Sequence, residues 1–96
     1  MYVLIVIRYR QSLEAVAAAT DAHRSYLREL HAKGILLASG PFDPRTGGAL
    51  LLRIEGDDPD AVDAIRNADP FWQQGVANYE LLRWLPNIGL DALDQL

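Results

Sequence analysis

Apolar residues open the chain without alternating against polar ones. In "MYVLIVIRY", Val3, Ile5, Ile7 and Tyr9 form one strand face and Tyr2, Leu4 and Val6 the other, with Arg8 breaking the second face near the end. A run this short, rich in β-branched and aromatic residues, predicts a strand with two apolar faces. The period then changes. Leu13, Val16, Thr20, His23, Leu27 and Leu30 recur at spacings of three and four within Ser12–Lys33, with Ser12 as N-cap and Gly34 as stop. Ala15, Ala17, Ala18 and Ala19 favour helix and let it lie close to a sheet.

Ile35–Ala38 reads as a short strand running into "SGP", followed by a loop, Phe42–Gly48, and a strand, Ala49–Ile54. Asp58 caps a second helix and Pro59 takes its first position, where a missing N–H costs nothing. Ala61, Val62 and Ile65 give that helix a small apolar face, and Pro70 is expected to close it. Val76–Leu85 is the last strand. Pro86–Leu96 is a tail with a short helix expected from Leu90.

The order βαββαβ predicts a ferredoxin-like α+β fold over residues 1–86, with residues 87–96 as a C-terminal tail. Its four-stranded antiparallel sheet would carry two helices on one face. Two helices leave the second face bare, yet that face is apolar too. An uncovered apolar sheet face needs something against it, and a second copy is the simplest cover, so a homodimer paired sheet to sheet is expected.

Composition narrows the function classes. The 96 residues make one domain, and half of them are apolar, enough for a folded core. No cysteine is present, which removes disulfides, thiolate metal sites and a cysteine nucleophile together, and fits a reducing cytoplasmic setting. Two histidines without a close partner suggest no transition-metal site. A net charge of −4 argues against nucleic acid and anionic membrane surfaces as partners. The opening run lacks the basic start and small-residue cleavage pattern of a signal peptide, and is too short to span a membrane.

Few residues are left for chemistry. His23, on the inward stripe, is either a half-buried histidine satisfied by neighbours or a general acid/base. Asp69, before Pro70, is either an Asx-type turn or a carboxylate that orients His23 and raises its basicity. Ser39 and Gly40 could line a pocket with Phe71, and Arg8 is a candidate anion contact at the sheet's end. His31 reads as solvated surface, and Trp72 and Trp84 as packing groups. Asp57, Asp58, Asp60 and Asp63 suit a helix start, and Gly47–Gly48 a turn.

Three stretches in order resemble the YciI-like family (YCII-related domain): "MYVLIVI", "AHRSYLRELHAKGILLASGP" and "ADPFWQQGVANYELLRWLP". Each is weak alone, and the ordered set is fairly specific. The resemblance implies a dimeric α/β-barrel relative with a His–Asp reaction centre, falling on His23 and Asp69. It also implies small-molecule chemistry of the dehydrochlorinase or isomerase kind, without cofactor or metal. Members often have arginine three residues before the histidine, where this chain has Thr20. The alternative is a non-catalytic ligand-binding or accessory domain with a structural His–Asp pair. A cofactor-independent monooxygenase is a third reading from the same fold.

Overall fold

The doubly apolar opening run, Tyr2–Tyr9, is strand β1. It sits inside a four-stranded antiparallel sheet with β2 (Leu36–Pro41), β3 (Gly47–Arg53) and β4 (Ala77–Trp84), in the order β2-β3-β1-β4. This computed structural model describes all residues, 1–96. Helix α1 (Leu13–Ala32) joins β1 to β2, and α2 (Pro59–Asn67) with the single-turn α3 (Pro70–Gln73) joins β3 to β4. A fourth helix, α4 (Leu90–Asp94), follows the sheet. The expected ferredoxin-like α+β architecture is therefore present.

Register assigns the two faces. Ile5 lies opposite Leu50 and Leu81, and Ile7 opposite Gly48 and Tyr79, so these residues share the face covered by helices. Val3, Ile5, Ile7, Leu50 and Leu52 are buried there against Val16, Ala19, Leu27 and Leu30 of α1. Full burial of a side chain such as Ile5 or Leu52 contributes about 1.5–3 kcal/mol. Leu13 departs from the expected stripe. At the helix's first position, where the chain has only just left β1, it stays exposed.

Two irregularities matter for the site. The β2–β3 register shifts between Leu36 and Ala38, so Leu36 pairs with Leu52 and Ser39 with Leu50. Strict alternation from Leu36 would turn Ala38 and Gly40 toward the helices. The extra residue turns Ser39 and Pro41 there instead, a bulge re-aiming side chains beside a site. At the other end of β3, Gly47 and Gly48 are strand residues and not the expected turn. A Cβ on Gly48 would come within 2.6 Å of the Gly40 carbonyl oxygen, and one on Gly47 would run into the Ile7 carbonyl. Close strand approach, rather than turn conformation, demands glycine at both.

The second face carries Leu4, Val6, Leu51 and Leu82, which are cross-strand neighbours. Helix α4 folds back over one end of this face: the Tyr2 hydroxyl donates to Asp94 at 2.6 Å, and Arg53 donates to the Leu93 carbonyl at 3.0 Å. Leu82 and Trp84 remain substantially exposed. No helix is long and apolar enough to cross a membrane.

Candidate active site

Pro70 ends α2's reach as expected, but it also starts a new helix. Asp69 is the N-cap of α3, its Oδ1 accepting from the Phe71 N–H at 3.0 Å, and Pro70 fills the first helical position. The same oxygen meets His23 Nδ1 at 2.7 Å. The two readings of Asp69, turn residue and histidine partner, are therefore both true of one atom. The cap fixes the carboxylate, and the carboxylate fixes the imidazole.

Both members of the pair are buried, Asp69 at 1% exposure and His23 at 8%. A carboxylate this buried needs its charge matched, and the short contact supplies a donor. With Nδ1–H donating to Asp69, the other ring nitrogen, Nε2, is the lone-pair atom. Phe71 stacks on the imidazole at a centroid distance of 3.8 Å and an interplanar angle of 5°, and Tyr9 meets Phe71 edge-on at 6.0 Å. The ring is thus held at one nitrogen and one face.

His23 forms part of the wall of a cleft of about 200 Å³ between α1, α3 and the β2–β3 end of the sheet. Ser39, Gly40 and Phe71 line it, as do Ile7, Leu27 and Leu50 at its base. Thr20 lines it as well, with its hydroxyl turned back to the Val16 carbonyl at 2.8 Å. An apolar cavity of roughly 150 Å³ holds benzene, so this cleft has room for one ring with substituents.

Five of the six residues singled out from the sequence come together here: His23, Asp69, Ser39, Gly40 and Phe71. Arg8 does not. It lies on the opposite face of the sheet, paired with Glu80 at 3.2 Å. Period two explains the correction, since Ile7 and Tyr9 point into the cleft and the residue between them must point away. Three of the four acids expected to suit the start of α2 have partners, and the fourth, Asp60, lies in its first turn. Asp57 pairs with Arg83 at 2.7 Å, Asp58 caps α2, and Asp63 lies 3.6 Å from Arg66. No three His, Asp or Glu side chains gather as metal ligands would.

Sequence reasoning missed Tyr79. It faces inward from β4 beneath α3, edge-on to Trp72 at 5.6 Å. Its hydroxyl and Asp69 Oδ2 are both buried without a hydrogen-bond partner. Burial first, then the neighbouring Asp69 carboxylate, pushes the Tyr79 phenol far above its ordinary value of 10.0. Burial, followed by Asp69 and Glu29, pushes Tyr26 up to about 12. A helical-period search overlooks such a residue because it lies on a strand, six residues past the end of α3.

These phenols give the site a pH signature. Between the unfolded value and the raised folded values, the native state binds more protons than the unfolded state, so stability must fall as pH rises. Urea unfolding is expected to show a stability loss beginning above about pH 10. Tyr79→Phe is expected to shallow that decline. An identical slope in the variant would contradict the assignment.

The fold and site together define a class: a ferredoxin-like α+β domain with a buried histidine–aspartate pair facing a ring-sized cleft. The YCII-related domain family matches residues 1–85, and the chain belongs to that family. Among solved structures it is similar to 5-chloro-2-hydroxyhydroquinone dehydrochlorinase (TftG) from Burkholderia phenoliruptrix AC1100, in complex with 2,5-dihydroxybenzoquinone. The likeness has a TM-score of 0.78 at 27% sequence identity, over 92% of this chain and 97% of that one. Comparison with curated proteins finds no match.

Proposed function

We propose that this protein is an acid/base enzyme acting on a small hydroxylated ring, with His23 as the proton-transfer group and Asp69 as its orienting partner. One observation carries the reading: His23 Nδ1 is held by Asp69 at 2.7 Å while the imidazole forms part of the cleft wall. A histidine fixed at one nitrogen, with the other free to meet a ligand, is arranged for general base and acid work in turn. The likeness to a dehydrochlorinase bound to a dihydroxybenzoquinone supports the substrate class.

The chemistry follows from a single proton shuttle. Nε2 removes the proton from a ring hydroxyl, the pair left by the O–H bond closes to a carbonyl, and the displaced ring π pair moves onto a ring carbon. The imidazolium, stabilised by the Asp69 carboxylate, returns the proton to that carbon. Where the carbon carries no leaving group, the net result is isomerisation. Where it carries a halide, a second hydroxyl gives its proton to the again neutral Nε2 and the halide departs with its bonding electrons, which completes an elimination. Ser39 and Gly40 present a hydroxyl and backbone groups along the cleft, and Phe71 holds the imidazole plane. These steps use the chain's own side chains and call for no cofactor or metal.

The test is a panel of halogenated hydroxyphenols and lactones, followed by halide release and product spectra, with wild type and His23→Ala side by side. Turnover by wild type that drops at least about 100-fold in the variant is expected. Equal turnover in both proteins would remove the mechanism.

The second sheet face is proposed as a homodimer interface, since Leu4, Val6, Leu51 and Leu82 form a cross-strand apolar patch there. Light scattering on a sizing column at micromolar concentration is expected to return twice the 10.7 kDa chain mass. A mass of one chain would contradict this interface.

A further inference from the structure

The cleft has a charge pattern that the proton shuttle does not require. The chain holds 13 Asp and Glu against nine Lys and Arg. Yet no carboxylate lines the cleft, and Asp69 sits behind His23 rather than on the wall. The charged side chains that do line it are Arg24 and Arg45. They come from separate elements, Arg24 from α1 and Arg45 from the segment between β2 and β3, so two arginines distant in sequence border one cleft.

Neither guanidinium is occupied. The protein's arginine ion pairs involve Arg8, Arg66 and Arg83, and the remaining arginine hydrogen bonds run from Arg66 to Asn67 and from Arg53 to α4 and the chain end. Arg10 and Arg28 are unpaired as well, but Arg24 and Arg45 are the two that border this one cleft. The pattern also extends beyond the cleft. An adjoining depression shares Arg24, Leu27 and Ser39, adds Arg28 and His31, and again has no acid in its lining. A ligand entering from that side meets only positive or neutral groups.

We propose that the substrate of this site is a ring compound that already carries a negative group, of the carboxylate kind, held by Arg24 and Arg45. The planar, permanently charged guanidinium fork suits a carboxylate. The size agrees, because about 200 Å³ leaves room for a substituent beyond the roughly 150 Å³ sufficient for benzene. The division of labour is spatial. The ring lies toward His23, Leu27 and Leu50, and its charged substituent lies toward the two arginines. The charge binds the ground state and the imidazole moves the proton. The proposal rests on the cleft being the reaction site, but it does not depend on what the histidine does there.

The experiment uses salicylate and salicylamide, a matched pair differing in charge at neutral pH. Binding to the full-length protein is measured by calorimetry, and the site is located by NMR shifts at Ser39 and the arginine side chains. Wild type is expected to prefer salicylate by about tenfold or more at low salt, with the preference shrinking as salt is added. Arg24→Gln and Arg45→Gln are each expected to lose part of it, and the double variant nearly all. His23→Ala should keep the preference, which separates this claim from the acid/base reading: turnover fails with the histidine, charge selection with the arginines. Equal affinity for the two probes, no salicylate binding at low millimolar concentration, or an unchanged preference in the double variant would each overturn the proposal.

Discussion

Asp69→Ala is expected to cost the protein both stability and turnover. The Asp69 carboxylate caps α3 through the Phe71 N–H and holds His23 through Nδ1, and both partners are buried. Alanine would leave a buried backbone donor and a buried ring nitrogen without acceptors, at about 1–3 kcal/mol each before relaxation. A loss of at least about 2 kcal/mol in urea unfolding is therefore expected, a large fraction for a domain of this size. Asp69→Asn separates the two roles. The asparagine oxygen can still accept from both donors, and its NH₂ would stand beside the Tyr79 hydroxyl, which can accept. Stability should largely survive in Asp69→Asn, while the lost charge no longer stabilises the imidazolium. Asp69→Asn as stable as wild type yet slowed by about 10²–10⁴-fold is the expected signature. Full activity in the asparagine variant would remove the carboxylate from the mechanism.

His23 carries the second large effect, with a different profile. Its ring stacks on Phe71 and shares a wall with Leu27, so His23→Ala opens space at the cleft as well as deleting the proton carrier. His23→Gln fills more of that space and retains an amide that can hydrogen-bond to Asp69, but it cannot shuttle a proton at neutral pH. Both substitutions are expected to lower kcat by about 10²–10⁴-fold. The alanine variant alone should also lose stability measurably. Equal loss of stability with retained turnover in both variants would describe a structural pair and favour a non-catalytic domain.

How much of this was legible in the sequence depended on whether the signal was periodic. The two apolar faces of Tyr2–Tyr9 and the helical stripe through His23 are repeating patterns, and they led to the sheet, the covering helix and the histidine's inward position. Asp58–Pro59 is a local cap signal with a local cause, and it lies where expected. Arg8 was legible too, had period two been followed through: its neighbours Ile7 and Tyr9 face the cleft, so it could not. The single-turn helix after Asp69 is too short to show a period, which is why Pro70 read only as a stop.

Other features lie outside any pattern along the chain. The β2 irregularity adds one residue, and nothing in "ILLASG" marks where the alternation slips. It nevertheless decides that Ser39 and not Ala38 faces the cleft. Tyr79 and Asp69 are brought together by the packing of α3 on β4, a contact between segments whose sequences each look complete without it. Arg24 and Arg45 resemble any surface arginine until the fold sets both on one cleft whose lining holds no acid. Charge isolation of that kind is a property of three-dimensional neighbourhood.

The central step of the proposed reaction is a proton moving between His23 and a ring. That can be read without a leaving group by incubating hydroxyhydroquinone, the unchlorinated analogue of the similar dehydrochlorinase's named substrate, anaerobically in D₂O and following its ring protons by NMR. Wild type is expected to exchange ring C–H for deuterium well above the buffer rate, and His23→Ala to match buffer. Exchange in His23→Ala as fast as in wild type, or no exchange by wild type with the compound bound, would contradict the account.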